Sequence, residues 1–224
     1  MEKTISFYTL GCRLNQSETA SLSRHFSENG YRVVDFEDAA DLVVINTCTV
    51  TENGDDDTRH LVYKANRINP QTRIALIGCQ AQTQKEKLTK LPNVKLIVGN
   101  QEKMNLVEIL QEIELSEESL VITPAIERGN FTMPAAAVDS KRTRANLKIQ
   151  DGCDFFCSFC EIPYARGRAR SRVFSDILKE ARIFGLIVLN LAGQIPDLMI
   201  HGILKRCQLF LKIQNKIRKS GFLG

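Results

Sequence analysis

The 224 residues, 43% hydrophobic and 25% charged, have the balance of a globular protein of one or two domains with a sizeable core. No apolar run approaches the ~18–20 residues of a membrane span. The start, Met1-Glu2-Lys3-Thr4-Ile5, lacks the apolar stretch of a signal peptide, so a soluble, unexported, cytoplasmic protein is expected.

The first 120 residues alternate short apolar runs with helical patterns. Ile5 to Tyr8 predicts a strand, and Asn15 to Asn29 a helix with Leu22 and Phe26 on one face and Gly30 as its stop. Residues 31–36, 42–45, 74–77 and 94–98 read as further strands, with helices at about 55–68, 83–90 and 102–112 between them. Strands apolar on successive residues and separated by helices predict an α/β fold with a parallel, Rossmann-like sheet covered on both faces. This domain is expected over 1–123, followed by a linker over 124–141, where Gly129, Pro134 and Ala135-Ala136-Ala137 interrupt any period. A second domain then runs over 142–224. It opens on an alternating strand from Arg144 to Gln150 and includes a helix over 174–183, a strand over 183–189 and a basic helical stretch over 199–217.

Between that first strand and helix stands Asp151-Gly152-Cys153-Asp154-Phe155-Phe156-Cys157-Ser158-Phe159-Cys160, a Cys-x3-Cys-x2-Cys triad. Iron–sulfur clusters are usually ligated by four cysteines, so three leave one iron open to another ligand. A structural zinc site is the competing reading, but it usually pairs Cys-x2-4-Cys with a second pair, and His60 and His201 are remote. Three buried, unligated thiols would be odd in a segment rich in Asp, Ser and Arg. With seven cysteines and no export signal, metal binding is a better default than disulfides.

A second set supports this. Cys12, Cys48 and Cys79 each come at or just after the carboxyl end of a predicted strand, and in an open parallel sheet those ends line one edge, where ligands bind. The alternative is three half-buried cysteines at strand ends. Cys207 is left over as an incidental thiol.

Charge is laid down unevenly around the net +4. Residues 141 to 172 hold eight basic residues, and no acidic residue follows Asp197 while Lys205, Arg206, Lys212, Lys216, Arg218 and Lys219 do. A polyanion, nucleic acid first, is the implied partner. Arg166, Arg168, Arg170 and Arg172 stand at period two and would share one side of an extended backbone, where their forks suit phosphate oxygens. They could equally form a solvated charged loop or pair with a cofactor's carboxylate.

Cys153-x3-Cys157-x2-Cys160, with Phe159 before the last cysteine, resembles the radical S-adenosylmethionine motif. The order Leu10-Gly11-Cys12, Asn46 to Thr51, Gly78-Cys79, Leu147 to Cys153 and Ile162 to Gly167 resembles the methylthiotransferase family over residues 4 to about 182. Within the family it is most similar to the branch acting on N6-threonylcarbamoyladenosine of tRNA. The resemblance implies two [4Fe–4S] clusters. Cys153, Cys157 and Cys160 would hold the one that binds S-adenosylmethionine and releases a 5′-deoxyadenosyl radical, with Phe159 near the cofactor's adenine. Cys12, Cys48 and Cys79 would hold an auxiliary cluster carrying the inserted sulfur. A methylthio group would be added to C2 of the adenosine next to the anticodon, so tRNA is the expected partner. A flavodoxin or ferredoxin is the expected electron donor, and the protein a monomer.

The family's radical domain is a βα barrel, which takes ~200 residues or more when complete. Only its start fits between Arg144 and Gly224, and the family pattern fades after Arg182. The expectation is a truncated chain, interrupted by a frameshift or premature stop near residue 183 to 190, that binds iron but turns over poorly or not at all. Two other classes predict different behaviour. An iron–sulfur electron carrier would not cleave S-adenosylmethionine, and a tRNA-binding module would bind in a salt-dependent way without its clusters.

Overall fold

The computed structural model describes residues 3–49, 54–113, 116, 118–134, 145–183 and 189–192. Met1–Gly193 form one compact unit; a second, Gln194–Gly224, lies outside the described residues, as does the basic stretch expected over 199–217.

The chain begins β1 (Thr4–Thr9), α1 (Arg13–Glu28), β2 (Arg32–Val34), β3 (Leu42–Thr47), α2 (Gly54–Ile68) and β4 (Arg73–Gly78). There follow α3 (Cys79–Thr83), α4 (Lys85–Leu88), β5 (Val94–Val98), a 3-10 turn at Lys103–Asn105, α5 (Leu106–Glu112) and β6 (Leu120–Ile122). The six strands form one sheet in the order β2-β1-β3-β4-β5-β6, and every neighbouring pair is parallel. This is the expected α/β architecture.

Alternate residues of each strand serve opposite layers. Val43, Ile45, Ile74, Leu76 and Ile97 pack with Leu61, Val62 and Ala65 of α2 and with Ala81 and Leu88. Val44, Ala75, Ile77, Leu96 and Val98 face the other way, onto Leu22 and Phe26 of α1 and Leu106 and Val107 of α5. Two buried faces explain why the strands read as continuous apolar runs rather than alternating ones.

Two local expectations differ from the structure. The helix expected over 83–90 is two short helices that begin earlier, at Cys79, because Gln84 between them leaves helical geometry (φ −132°, ψ 30°). The three-residue edge strand β6 was not foreseen; it is too short to show a period.

The chain continues with β7 (Ala145–Lys148), β8 (Gln150–Asp151), α6 (Ile162–Arg166), β9 (Arg170–Ser171), α7 (Phe174–Ile183) and β10 (Leu189–Ala192). β7 and β10 pair in parallel, with α7 between them in sequence, which makes a βαβ unit. Ile177 and Ala181 of α7 pack on fully buried Leu147 together with Ala20 of α1. The strand expected over 183–189 lies mostly outside the described residues, at 184–188; Ile183 ends α7 and β10 begins at Leu189. No helix among the described residues is long and apolar enough to cross a membrane.

Phe26 carries much of the contact between α1 and the sheet. It is fully buried and meets Phe7 and Tyr31 edge-on, with ring centroids 5.7 and 5.0 Å away. Phe26→Ala should cost about 3–5 kcal/mol. The measurement is the urea midpoint at unchanged slope.

Candidate metal and substrate site

In a sheet of order 2-1-3-4-5, ligands bind outside the carboxyl ends of the strands, at the point between β1 and β3 where the winding reverses. Cys12 follows β1 and Cys48 follows β3, so both stand at that point, while Cys79 follows the next strand, β4. Three cysteines far apart in sequence thus follow three adjacent strands. Cys12 is exposed and caps the N-terminus of the sixteen-residue α1; Cys48 and Cys79 are buried. The end of a helix where backbone N–H groups are free favours negative sulfur.

Side-chain amides weld the edge together. Asn15 donates to Leu10 O (2.8 Å) and Thr47 O (3.1 Å), and Asn46 Nδ2 donates to Asn15 O (3.1 Å). Thr47 Oγ1 donates to Ile77 O (2.7 Å) and accepts from Ala81 N (3.3 Å). Gly11 has φ +86°, and a Cβ there would overlap the Cys48 side chain. Cys48 therefore lies directly against the residue preceding Cys12, and any side chain at residue 11 would push it away.

The other triad sits on the loop between β8 and α6. Cys153 and Cys160 are partly buried and Cys157 is exposed; none of the six cysteines forms a disulfide. The loop is anchored at its base, where Cys153 N donates to Gly167 O (3.1 Å) and Gly152 N to Asp151 Oδ1 (2.9 Å), while Cys160 N closes a turn onto Cys157 O (3.0 Å). A Cβ on Gly152 (φ +70°) would collide with the carbonyl oxygens of Gly167 and Arg168, so glycine is needed where the loop passes α6.

Beneath both sets lies a buried cluster of charges that the sequence did not announce. Arg166 is fully buried; its Nη1 donates to Glu18 Oε1 (3.0 Å) and Asp151 Oδ1 (2.8 Å), and its Nη2 to Glu18 Oε2 (3.2 Å) and to Asn15 Oδ1. Lys148 reaches Glu18 (2.6 Å) and Asp151 (2.7 Å), and Lys103 reaches Glu18 (2.5 Å). Burial alone would raise the Glu18 carboxyl, but the charges of Arg166, Lys103 and Lys148 outweigh it and hold the group well below the usual range. Burial pulls the Lys103 ammonium down to about 8, against the attraction of Glu18.

Cys79 belongs to this neighbourhood. Its sulfur accepts from Asn100 Nδ2 (3.6 Å), which also donates to Ala165 O (2.6 Å). Asn100 thus ties one cysteine set to the helix that anchors the other.

The arginines depart from the expected ladder. α6 ends at Arg166 and Gly167 follows with φ +74°, so the backbone is not continuously extended from Arg166 to Arg172: Arg166 and Arg170 both face Asp151, while Arg168 is exposed. Arg166 is the hub of the buried cluster. Arg170 bonds Gln101 (3.1 Å) and lies 3.6 Å from Asp151. Arg172 is buried on Glu180 and on the carbonyls of Lys148 (3.3 Å) and Met133 (3.1 Å). Only Arg168 of the four is exposed, beside Asp154 at 3.7 Å. The missed signal was the acidic partners: Glu18 and Glu180 each stand on the inner side of a helix.

Among the described residues no three of His, Cys, Asp or Glu converge as a ready metal site. The donor chemistry nevertheless fits two thiolate-ligated clusters. Asn46 Oδ1, Thr49 Oγ1 and Asn100 Oδ1 are buried near the sheet edge without a hydrogen-bond partner. Three buried cations (Lys103, Lys148, Arg166) outnumber two buried carboxylates (Glu18, Asp151), with partly buried Arg170 beside them, which suits an anionic group at Cys79.

Residues 4–99 match the model of Uncharacterized protein family UPF0004. The chain is 42% identical over 180 residues to threonylcarbamoyladenosine tRNA methylthiotransferase MtaB of Aquifex aeolicus, covering 80% of this chain and 44% of that protein. It is 39% identical over 183 residues to the protein of the same name in Bacillus subtilis, covering 80% and 40% respectively. The corresponding match in Chlamydia pneumoniae is 36% over 180 residues, covering 79% and 39%. The chain belongs to the methylthiotransferase family, on the side of its MtaB branch. It spans less than half the length of the curated relatives it matches.

Glu18→Gln removes the charge that three buried cations share and should destabilise the fold by about 3–5 kcal/mol. Because folding depresses the Glu18 pKa, its contribution is complete above the ordinary value of 4.5 and is lost as pH falls through the folded value. Urea unfolding between pH 7 and pH 3 should therefore show a steeper loss of stability in the wild type than in the variant.

Proposed function

We propose that this chain carries the cofactor-holding residues of a tRNA methylthiotransferase, which adds a methylthio group to C2 of N6-threonylcarbamoyladenosine next to the anticodon. The observation that supports it best is the pairing of two complete cysteine triads through one buried cluster, with Asn100 and Arg166 between Cys79 and the base of the Cys153 loop. A single metal site or a redox carrier has no need of two such sets held against each other.

On this reading Cys153, Cys157 and Cys160 hold one [4Fe–4S] cluster and Cys12, Cys48 and Cys79 hold the other, each leaving one iron without a protein ligand. Bound there, the clusters and S-adenosylmethionine supply the electron, the radical initiation and the sulfur. The protein's part is placement. Phe159, 89% exposed beside Cys160, offers an apolar face to the cofactor's adenine. Arg168 remains the member of the arginine run that can meet RNA phosphates. The methylthiotransferase domain would span 1–123 and the linker 124–141. From 142 the βαβ unit of β7, α7 and β10 would begin the radical domain's barrel. A flavodoxin or ferredoxin would supply electrons, in the cytoplasm where tRNA is found.

Anaerobic reconstitution of the purified chain with iron and sulfide should give about eight irons per chain, and about four after Cys153, Cys157 and Cys160 are replaced by Ala. The same triple variant should lose reductive cleavage of S-adenosylmethionine. An iron content that the replacement leaves unchanged would sink the assignment. Methylthiolated nucleosides in digested tRNA, measured by mass spectrometry, report the full reaction.

A further inference from the structure

The cysteine loop carries more aromatic surface than its proposed cofactor needs. Phe155, Phe156, Phe159 and Tyr164 are all exposed, at 55%, 42%, 89% and 69%. Exposed aromatics gathered on one loop and the helix that follows it are uncommon on a protein surface and mark a contact site. Two of them are ordered against each other: the Phe156 and Tyr164 rings meet edge-on at 6.0 Å, and the Arg168 guanidinium lies 5.0 Å from the Phe156 ring centre.

Phe156 is also held in the left-handed region, at φ 44°, which is unfavourable for a bulky side chain. That backbone conformation sets Phe156 at the wall of a cleft of about 310 Å³, which Tyr164, Arg168, Arg128, Ile126 and Gln82 also line. The lining includes two arginines and no carboxylate.

Flat aromatic faces beside exposed guanidinium groups, Arg168 being paired only with exposed Asp154 at 3.7 Å, are the chemistry that binds an unpaired nucleobase and its phosphates. Any base presents a π-face, whereas an acidic peptide would use the arginines and leave the rings without a partner. A membrane surface would want the aromatics without a cleft. We infer that Phe156, Tyr164 and Arg168 form a stacking clamp for an unpaired base of a single-stranded or looped RNA, separate from the cysteine ligands. The inference rests on RNA being the substrate and adds which residues grip it. Stacking in the clamp would draw one nucleotide out of the loop and leave its neighbour facing the Cys153 loop.

The test is binding of the full chain to a seven-nucleotide RNA with 2-aminopurine at its centre, read as fluorescence quenching and as affinity. The same sequence locked in a duplex serves as the comparison. The wild type should quench the single strand and not the duplex. Phe156→Leu and Tyr164→Leu should each weaken binding about 5- to 150-fold. Phe156→Tyr and Tyr164→Phe, which keep the rings, should restore it, and Arg168→Gln should lower affinity and flatten its salt dependence. Thermal melting of each variant establishes that it is folded.

RNA binding that is unchanged in folded leucine variants would overturn the clamp and leave the tRNA reading standing. Absence of any RNA binding by the wild type would overturn both, whatever the iron content. A fall in self-association in the leucine variants, with RNA affinity unchanged, would assign the surface to a second copy of the chain and overturn the clamp equally.

Discussion

Glu18 is the residue on which the rest of the arrangement leans. One carboxylate on the inner side of α1 receives Arg166, Lys103 and Lys148, all buried with it. Removing charges from water costs several kcal/mol per ion unless partners replace the lost hydration, so such a set tolerates little displacement. Arg166 and Lys148 come from residues 145–166, while Glu18 and Lys103 lie among the helices and turns that cover the six-stranded sheet. Their neutralisation fixes the distance between the two cysteine sets more firmly than the apolar contact around Leu147 alone, which is small.

The sheet order supplies the other constraint. With β1 and β3 adjacent and their crossovers on opposite faces, the carboxyl edge between them is open, and two of the three N-terminal cysteines are delivered there by strand length alone. Amides and hydroxyls of Asn15, Asn46 and Thr47 then satisfy the backbone that a loop edge would leave bare. The site is thus a property of topology on one side and of electrostatics on the other.

Much of this was legible in the sequence. Long apolar runs between helical periods gave the parallel sheet, and cysteines at strand ends gave the edge they share, because both depend on local order along the chain. What escaped was long-range. Arg166 and Glu18 are 148 residues apart, and no local pattern distinguishes a buried arginine from an exposed one. Period two was a sound reason to expect a common face for Arg166 to Arg172, but it holds only in extended backbone, and the end of α6 at Arg166 with Gly167 at φ +74° removes that premise. The break at Gln84 had no marker such as glycine or proline.

The separation of Glu18 from Arg166 bears on how the protein is made. Chains leave the ribosome at about 5–20 residues per second, so many seconds pass between the two. The sheet strands through β6 are complete in that interval, yet the pocket waiting for Arg166 holds Glu18 with Lys103 alone. The nascent domain is then open to water where the finished one is dry, and the closing step comes only when the cysteine loop has already emerged. On the proposed reading, metal delivered before that moment would meet Cys12, Cys48 and Cys79 without Arg166 behind them, and the two sets would be distinguished in time as well as in place.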